Sequence, residues 1–117
     1  MATAELLVDT DVLIDHLRGQ RRLRADSRRF GISVVSRCEL FAGRDEPRRL
    51  RRFLWPMMEL PIDAVIAELA GMTRRDTGIA TPDALIAATA LTHRIPLMTR
   101  NRRHFDRVAD LRIIVPA

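Results

Sequence analysis

The stretch LLVDTDVLID, residues 6–15, carries an apolar run directly into Asp9 and adds two more carboxylates at Asp11 and Asp15. An aspartate delivered at the C-terminal end of a buried strand is a common position for a metal or phosphate site in an α/β protein. Two chemistries fit Asp9-x-Asp11. Asp9 serves as a covalent nucleophile with Asp11 as general acid, or Asp9 serves as an oxygen ligand for a divalent cation. Two further acids stand in comparable settings, Glu39 in Ser36-Arg37-Cys38-Glu39 and Asp83 in TPDALIAATAL. Each also has a purely structural role open to it. Asp9 fits a helix N-cap, Glu39 the far end of a capping box begun by Ser36, and Asp83 a first-turn acid favoured by the helix dipole. Asp83 nevertheless precedes Ile86, Ala87, Ala90 and Leu91 at helical spacing, so it projects on the side of the buried face and needs a partner. If Asp9, Glu39 and Asp83 converge, their mutual repulsion raises their pKa values unless a cation neutralises them. Hard oxygen donors without a Cys/His cluster suit Mg²⁺ or Mn²⁺ rather than Zn²⁺. His16, His93 and His104 lack ligand spacing and read as surface residues. Cys38 reads as a small core residue, and Asp15, one helical turn beyond Asp11, as an ordinary exposed acid.

The elements that must position these side chains follow from periodicity and punctuation. Residues 5–8 read as a buried strand, followed by a helix from Asp11 to about Leu17. The arginine-rich stretch 18–30 reads as exposed and helical in part. Residues 31–35 form a second strand, and Ser36 opens a helix through about Ala42 that Gly43 stops. A helix over 47–57 sets Leu50, Phe53, Leu54 and Met57 against Arg48, Arg49, Arg51 and Arg52. Residues 58–62 form a short edge strand, placed at the edge by Pro61. Asp63 caps a helix to about Asp76. Thr81 caps the next, with Pro82 at its first position. Residues 96–99 and 112–116 complete the strands, with a polar turn or short helix over 101–109. The alternation predicts a single domain, 1–117, built as an α/β/α sandwich around a mostly parallel sheet of four or five strands. Three strand exits then carry polar chemistry at one edge: Asp9, Ser36 to Glu39, and Thr99 to Asn101.

All 20 basic residues are arginine and the formal net charge is +5. Arginine's planar fork suits phosphate, and an excess of it around acids suits a polyanion. A genome that writes arginine in place of lysine explains the same preference. One cysteine excludes an internal disulfide framework and suits a reducing compartment. The N-terminus lacks the basic and apolar regions of a signal peptide, and no run approaches about 18 apolar residues. A cytoplasmic location follows as the expectation, with no membrane involvement. No Tyr and one Trp argue against a base-stacking platform.

Four segments in order, LLVDTDVLIDHLRG, ISVVSRCELFAG, TPDALIAATAL and PLMTRNRRHFDRV, together resemble the PIN-domain ribonucleases, most closely the VapC toxins of bacterial toxin–antitoxin pairs. The resemblance runs essentially end to end. It implies that Asp9, Glu39 and Asp83 are acidic metal ligands, supported by the hydroxyls of Thr10, Ser36 and Thr99. Asn101 falls where the family places a fourth acid, a departure that lowers the charge and leaves an amide to orient water. Asp11 falls where the family often has Asn or Ser, which makes it a supporting acid. The resemblance further implies endonucleolytic cleavage of RNA by metal-activated water, with 5′-phosphate and 3′-hydroxyl products. It also implies a cognate antitoxin whose C-terminal segment covers the acids. Arg100, Arg102 and Arg103 are candidates to grip flanking phosphates. The 50–57 face, Leu50, Phe53, Leu54, Trp55 and Met57, serves the antitoxin groove, a homodimer or the core.

Two other classes compete. Haloacid dehalogenase-like phosphatases also open on Asp-x-Asp with Asp9 as nucleophile, but that chemistry uses a downstream lysine and a second acidic metal motif, and the chain has neither. A catalytically inactive binding module on the same fold is the other.

Overall fold

The structure, a computed structural model, describes residues 3–24 and 26–116. Leu6, Leu7 and Val8 form β1 (Leu6–Val8), and all three are fully buried because both faces of the sheet are covered. Side-chain alternation divides them. Leu6 and Val8 face a cluster with Val12, Leu13, Ile32, Leu50 and Leu54, whereas Leu7 faces a second cluster with Ile86, Ala87, Leu97 and Phe105. The helices behind the first cluster are α1 (Thr10–Leu17), α2 (Val34–Phe41) and α3 (Pro47–Leu54). Behind the second packs α5 (Thr81–His93), and α4 (Ala64–Thr77) covers it with Ile66 and Ala70 against Ala84 and Ala88.

The remaining strands are β2 (Phe30–Ser33), β3 (Met58–Leu60), β4 (Leu97–Met98) and β5 (Ile113–Ile114). All pairings are parallel, in the order β3-β2-β1-β4-β5. The chain thus moves outward from β1 through β2 to β3, then returns to the other side of β1 with β4. That reversal puts a switch point between β1 and β4, where open α/β sheets bind ligands beyond the strand ends. The predicted α/β/α sandwich forms, with five strands where four or five were expected; β3 lies at the edge as expected, but it ends at Leu60, so Pro61 follows the strand and does not set its position. Gly31 belongs to a close approach of β2 to β1: a Cβ there would lie 2.8 Å from the Ala4 Cβ. No helix among the described residues is long and apolar enough to cross a membrane.

Several boundaries differ from the sequence expectation. Ser33, not Ser36, caps α2, its Oγ accepting from the Val35 N–H at 3.0 Å, so Val34 and Val35 leave the strand and begin the helix. Ser36 is therefore not a cap: it lies inside the helix and is fully buried. Ala80 occupies the cap position of α5 without a side-chain bond, and Thr81 is already helical. Residues 18–24 are turn and irregular chain rather than helix, because Gly19, at φ +71°, reverses the chain directly after α1. Helix α3 stops at Leu54, with Leu50 and Leu54 in the core and Trp55 turned out, 87% exposed. Cys38 is exposed, not a core residue, because the helix register that buries Ser36 and Leu40 turns position 38 outward.

Candidate active site

Asp9 leaves β1 at the switch point and is only 5% exposed. It caps α1: Oδ1 accepts from the Thr10 N–H at 2.8 Å. The capping role and the chemical role are thus held together, one oxygen each. Oδ2 accepts from the Thr99 hydroxyl at 2.8 Å, across the crevice between β1 and β4. Thr99 is fully buried, and its Oγ1 in turn accepts from the Asn101 N–H at 3.0 Å. A threonine hydroxyl has one proton. Spent on Asp9, it leaves the longer approaches to Asp11, 3.4 and 3.5 Å, as secondary. Asp11 is fixed instead by the Arg100 N–H, 3.0 Å from Oδ2.

A second hydroxyl chain runs from α2. Thr10 Oγ1 donates to Glu39 Oε1 at 2.7 Å, and Ser36 Oγ lies 2.9 Å from the same Thr10 oxygen. With the Thr10 proton committed to the carboxylate, Ser36 is the donor in that contact. The order Ser36, Thr10, Glu39 steers an acid on α2 toward the end of β1. Asp83, in the first turn of α5, is half-buried, and His104 Nδ1 stands 3.3 Å from its Oδ2.

The electrostatics bind these acids into one unit. Burial, then the charge of Asp11, pushes the Asp9 carboxyl from the ordinary 3.8 up to about 7; bonds from Thr99 and Thr10 oppose the rise, and Asp83 adds to it. Asp83 is also raised, chiefly by burial, with His104 holding it down and Glu39 and Asp11 pushing it up. Asp9 and Asp83 are thus both raised by burial and by neighbouring carboxylates, which concentrates negative charge at the mouth of the parallel sheet.

A divalent ion fits this donor set in chemistry. All donors are hard oxygens, and Asp9 is held at an unfavourable charge that a cation would relieve. The described side chains do not form a closed cage: no group of three Asp, Glu, His or Cys residues surrounds a common point. An open set suits Mg²⁺, which keeps several waters and takes one or two carboxylates together with substrate phosphate.

The other predicted residues are placed unevenly. Asn101 meets the site through its backbone N–H, and its side chain does not cap the 3-10 helix Arg102–His104 that follows. Arg102 and Arg103 are exposed on that helix. Arg100 is not a free cation: its guanidinium donates to Asp15 at 3.2 Å, with side chains only 12% and 25% exposed. Asp15 is accordingly a structural partner, not an ordinary exposed acid. His16 is likewise no simple surface residue, since its ring stacks on Phe53 at 4.9 Å between centroids. The sequence alone did not point to the His104–Asp83 contact. The signal was available in the parallel topology, which brings the start of α5 and the exit of β4 to one end of the sheet.

The parallel α/β/α sandwich with an acid cluster at its switch point has counterparts among known proteins. Residues 6–111 match the PIN domain family. Ribonuclease VapC10 of Mycobacterium tuberculosis is 41% identical over 92% of this chain and 90% of its own length. Ribonuclease VapC19 of the same organism is 33% identical, over 90% and 95%. Among solved structures, a toxin-antitoxin complex from Klebsiella pneumoniae matches with a TM-score of 0.81 and 32% identity, covering 98% of each chain. The chain belongs to the PIN-domain family, among the VapC ribonucleases.

Proposed function

We propose that this chain is a metal-dependent endoribonuclease, the toxin of a toxin–antitoxin pair acting in the cytoplasm. The observation that carries the proposal is the buried Asp9 at the β1–β4 switch point, held by Thr10 and Thr99, with Glu39 bonded to Thr10 and with Asp11 and Asp83 close enough to raise the Asp9 carboxyl. Asp9, Glu39 and Asp83 would hold Mg²⁺ or Mn²⁺, with Asp11 beside them. When bound, the cation supplies Lewis acidity toward water and phosphate oxygen and neutralises charge in the transition state. Thr99 fixes one Asp9 oxygen and Thr10 one Glu39 oxygen, so neither carboxylate must be oriented at the moment of reaction. Asn101 is positioned by its N–H bond to Thr99, and its amide is the group available to orient water. A covalent role for Asp9 is disfavoured, because both of its oxygens are already engaged by Thr10 and Thr99 in a buried site.

The partner reading rests on the Klebsiella relative, described as a toxin-antitoxin complex, and on an apolar groove of about 560 Å³. His16, Leu23, Phe30, Phe53, Met57 and Met58 line it. Of the 50–57 face, Phe53 and Met57 thus belong to a groove suited to an amphipathic antitoxin segment, while Leu50 and Leu54 are core. Trp55, with Val65 and Met72 on α4, supplies exposed apolar surface for a homodimer.

The test is incubation of the pure protein with structured RNA and Mg²⁺ or Mn²⁺, with EDTA and Asp9→Asn as controls. Cleavage abolished by both controls supports the reading. Cleavage indifferent to both overturns it, and turnover of a phosphomonoester with phosphate trapped on Asp9 would favour the phosphatase.

A further inference from the structure

Arginine is unevenly distributed along the chain, and one dense run, RGQRRLR at residues 18–24, directly follows α1. Two residues of α1 tie the start of this segment down. The Asp15 carbonyl accepts from the Gln20 N–H at 3.0 Å and from the Arg21 N–H at 3.4 Å. His16 Nδ1 accepts from the Leu23 N–H at 3.0 Å, while its ring rests on Phe53. The backbone that carries Arg21, Arg22 and Arg24 is therefore pinned to the helix rather than hanging from it.

These three arginines join Arg100 around a pocket of about 300 Å³, with Val115 and Pro116 on its wall. Arg100 connects the pocket to the acids. It follows Thr99 directly, its N–H holds Asp11, and its guanidinium is fixed by the Asp15 carboxylate. Among the described residues, Asp15 is the one carboxylate paired with this group, and no ion pair engages Arg21, Arg22 or Arg24. Four arginines thus line the pocket, with one of them paired to a carboxylate, beside a cluster of acids. A polyanion that must approach that acid cluster needs positive charge alongside to offset the repulsion. Guanidinium forks match phosphodiester oxygens. Val115, 55% exposed, offers apolar surface to the sugar.

We propose that the pocket formed by Arg21, Arg22, Arg24 and Arg100 binds a backbone phosphodiester of the RNA strand, leading the substrate over the α1 side of the acid cluster. The inference rests on the ribonuclease reading above. It assigns to residues 21–24 a role that the sequence suggested for Arg102 and Arg103, and it makes Arg100 a fixed wall of the pocket rather than a mobile grip.

The test measures binding of labelled single-stranded RNA to protein carrying Asp9→Asn, in EDTA, from about 50 to about 200 mM salt. Arg21→Ala/Arg24→Ala and Arg21→Glu/Arg24→Glu are compared with Arg75→Ala, a change on the exposed side of α4. The expected result is an affinity loss of about tenfold or more for the first two. The slope of log affinity against log salt should fall by about 0.7 for each phosphate that the variant no longer neutralises. Arg75→Ala should change neither, and a Mn²⁺ titration of the same arginine variants in the Asp9 background should match that of the wild type. Unchanged RNA affinity and slope, in variants of a protein whose wild type cleaves RNA, would overturn the inference and leave the ribonuclease reading standing. Loss of binding to an Asp/Glu-rich peptide, with RNA binding intact, would overturn it in favour of a protein-docking surface. A wild type that neither binds nor cleaves RNA would remove both.

Discussion

Replacing Asp9 by Asn should make the metal-free protein more stable, and increasingly so as the pH rises. The Asp9 carboxyl is raised from 3.8 to about 7 in the folded protein. A group raised on folding is bound more tightly to its proton in the native state. Its charge therefore costs nothing below about pH 3.8, costs progressively more up to about pH 7, and is constant above that. At about 1.4 kcal/mol per tenfold change in proton affinity, the cost is on the order of 1–2 kcal/mol at pH 5 and about 4 kcal/mol at pH 8. Asn removes it. The amide oxygen can keep the Thr10 N–H bond, and the Thr99 hydroxyl must turn to accept where it now donates. That rearrangement costs about 1 kcal/mol, leaving about 3 kcal/mol at pH 8, or roughly 10 °C in Tm for a domain of this size. Thermal melts in EDTA at pH 5 and pH 8 read both numbers. Adding Mn²⁺ should then stabilise the wild type and not the variant. If the variant melts at or below the wild type at pH 8, or the difference does not widen with pH, burial of a charged Asp9 is not the cost assigned to it.

Thr10→Val keeps the shape of the side chain and deletes the hydroxyl between Ser36 and Glu39. It leaves the buried Ser36 hydroxyl without this acceptor and should cost about 1–3 kcal/mol in denaturant unfolding. Thr10→Ser should recover most of it, and equal stability of wild type and Thr10→Val would contradict the assigned chain. His104→Ala should weaken Mn²⁺ binding by about tenfold, because the residue that orients Asp83 is lost. His104→Asn places an amide donor near the Nδ1 position and should restore it in a calorimetric titration. Identical titrations for Ala and Asn would assign His104 no orienting role.

What the sequence made legible were features encoded locally. The apolar run into Asp9 and the apolar face of α5 beneath Asp83 each rest on a few consecutive residues, and each appears where expected. The order of the four segments carried the family. Less legible were decisions made by tertiary contacts. Val34 and Val35 are β-branched and read as strand, yet the Ser33 cap turns them into helix. The same shift moved Ser36 from a cap to a buried donor on Thr10. Arg100 and Asp15 are 85 positions apart, so no periodicity marks them as partners. Asp83 and His104 meet because the parallel sheet brings the start of α5 and the 3-10 helix after β4 to one end, a consequence of strand order rather than of either segment. The arginines of 18–24 showed their charge but not their fixed backbone, which depends on bonds from Asp15 and His16.

Whether a cation belongs among Asp9, Glu39 and Asp83 is answered most directly by growing crystals in Mn²⁺ and locating the metal from its anomalous scattering. A peak is expected at the β1–β4 switch point, coordinated by Asp9 and at least one of Glu39 and Asp83, and it should disappear in Asp9→Asn. A fully ordered site with no peak there, or Mn²⁺ bound only elsewhere on the chain, would show that these acids do not form a metal site.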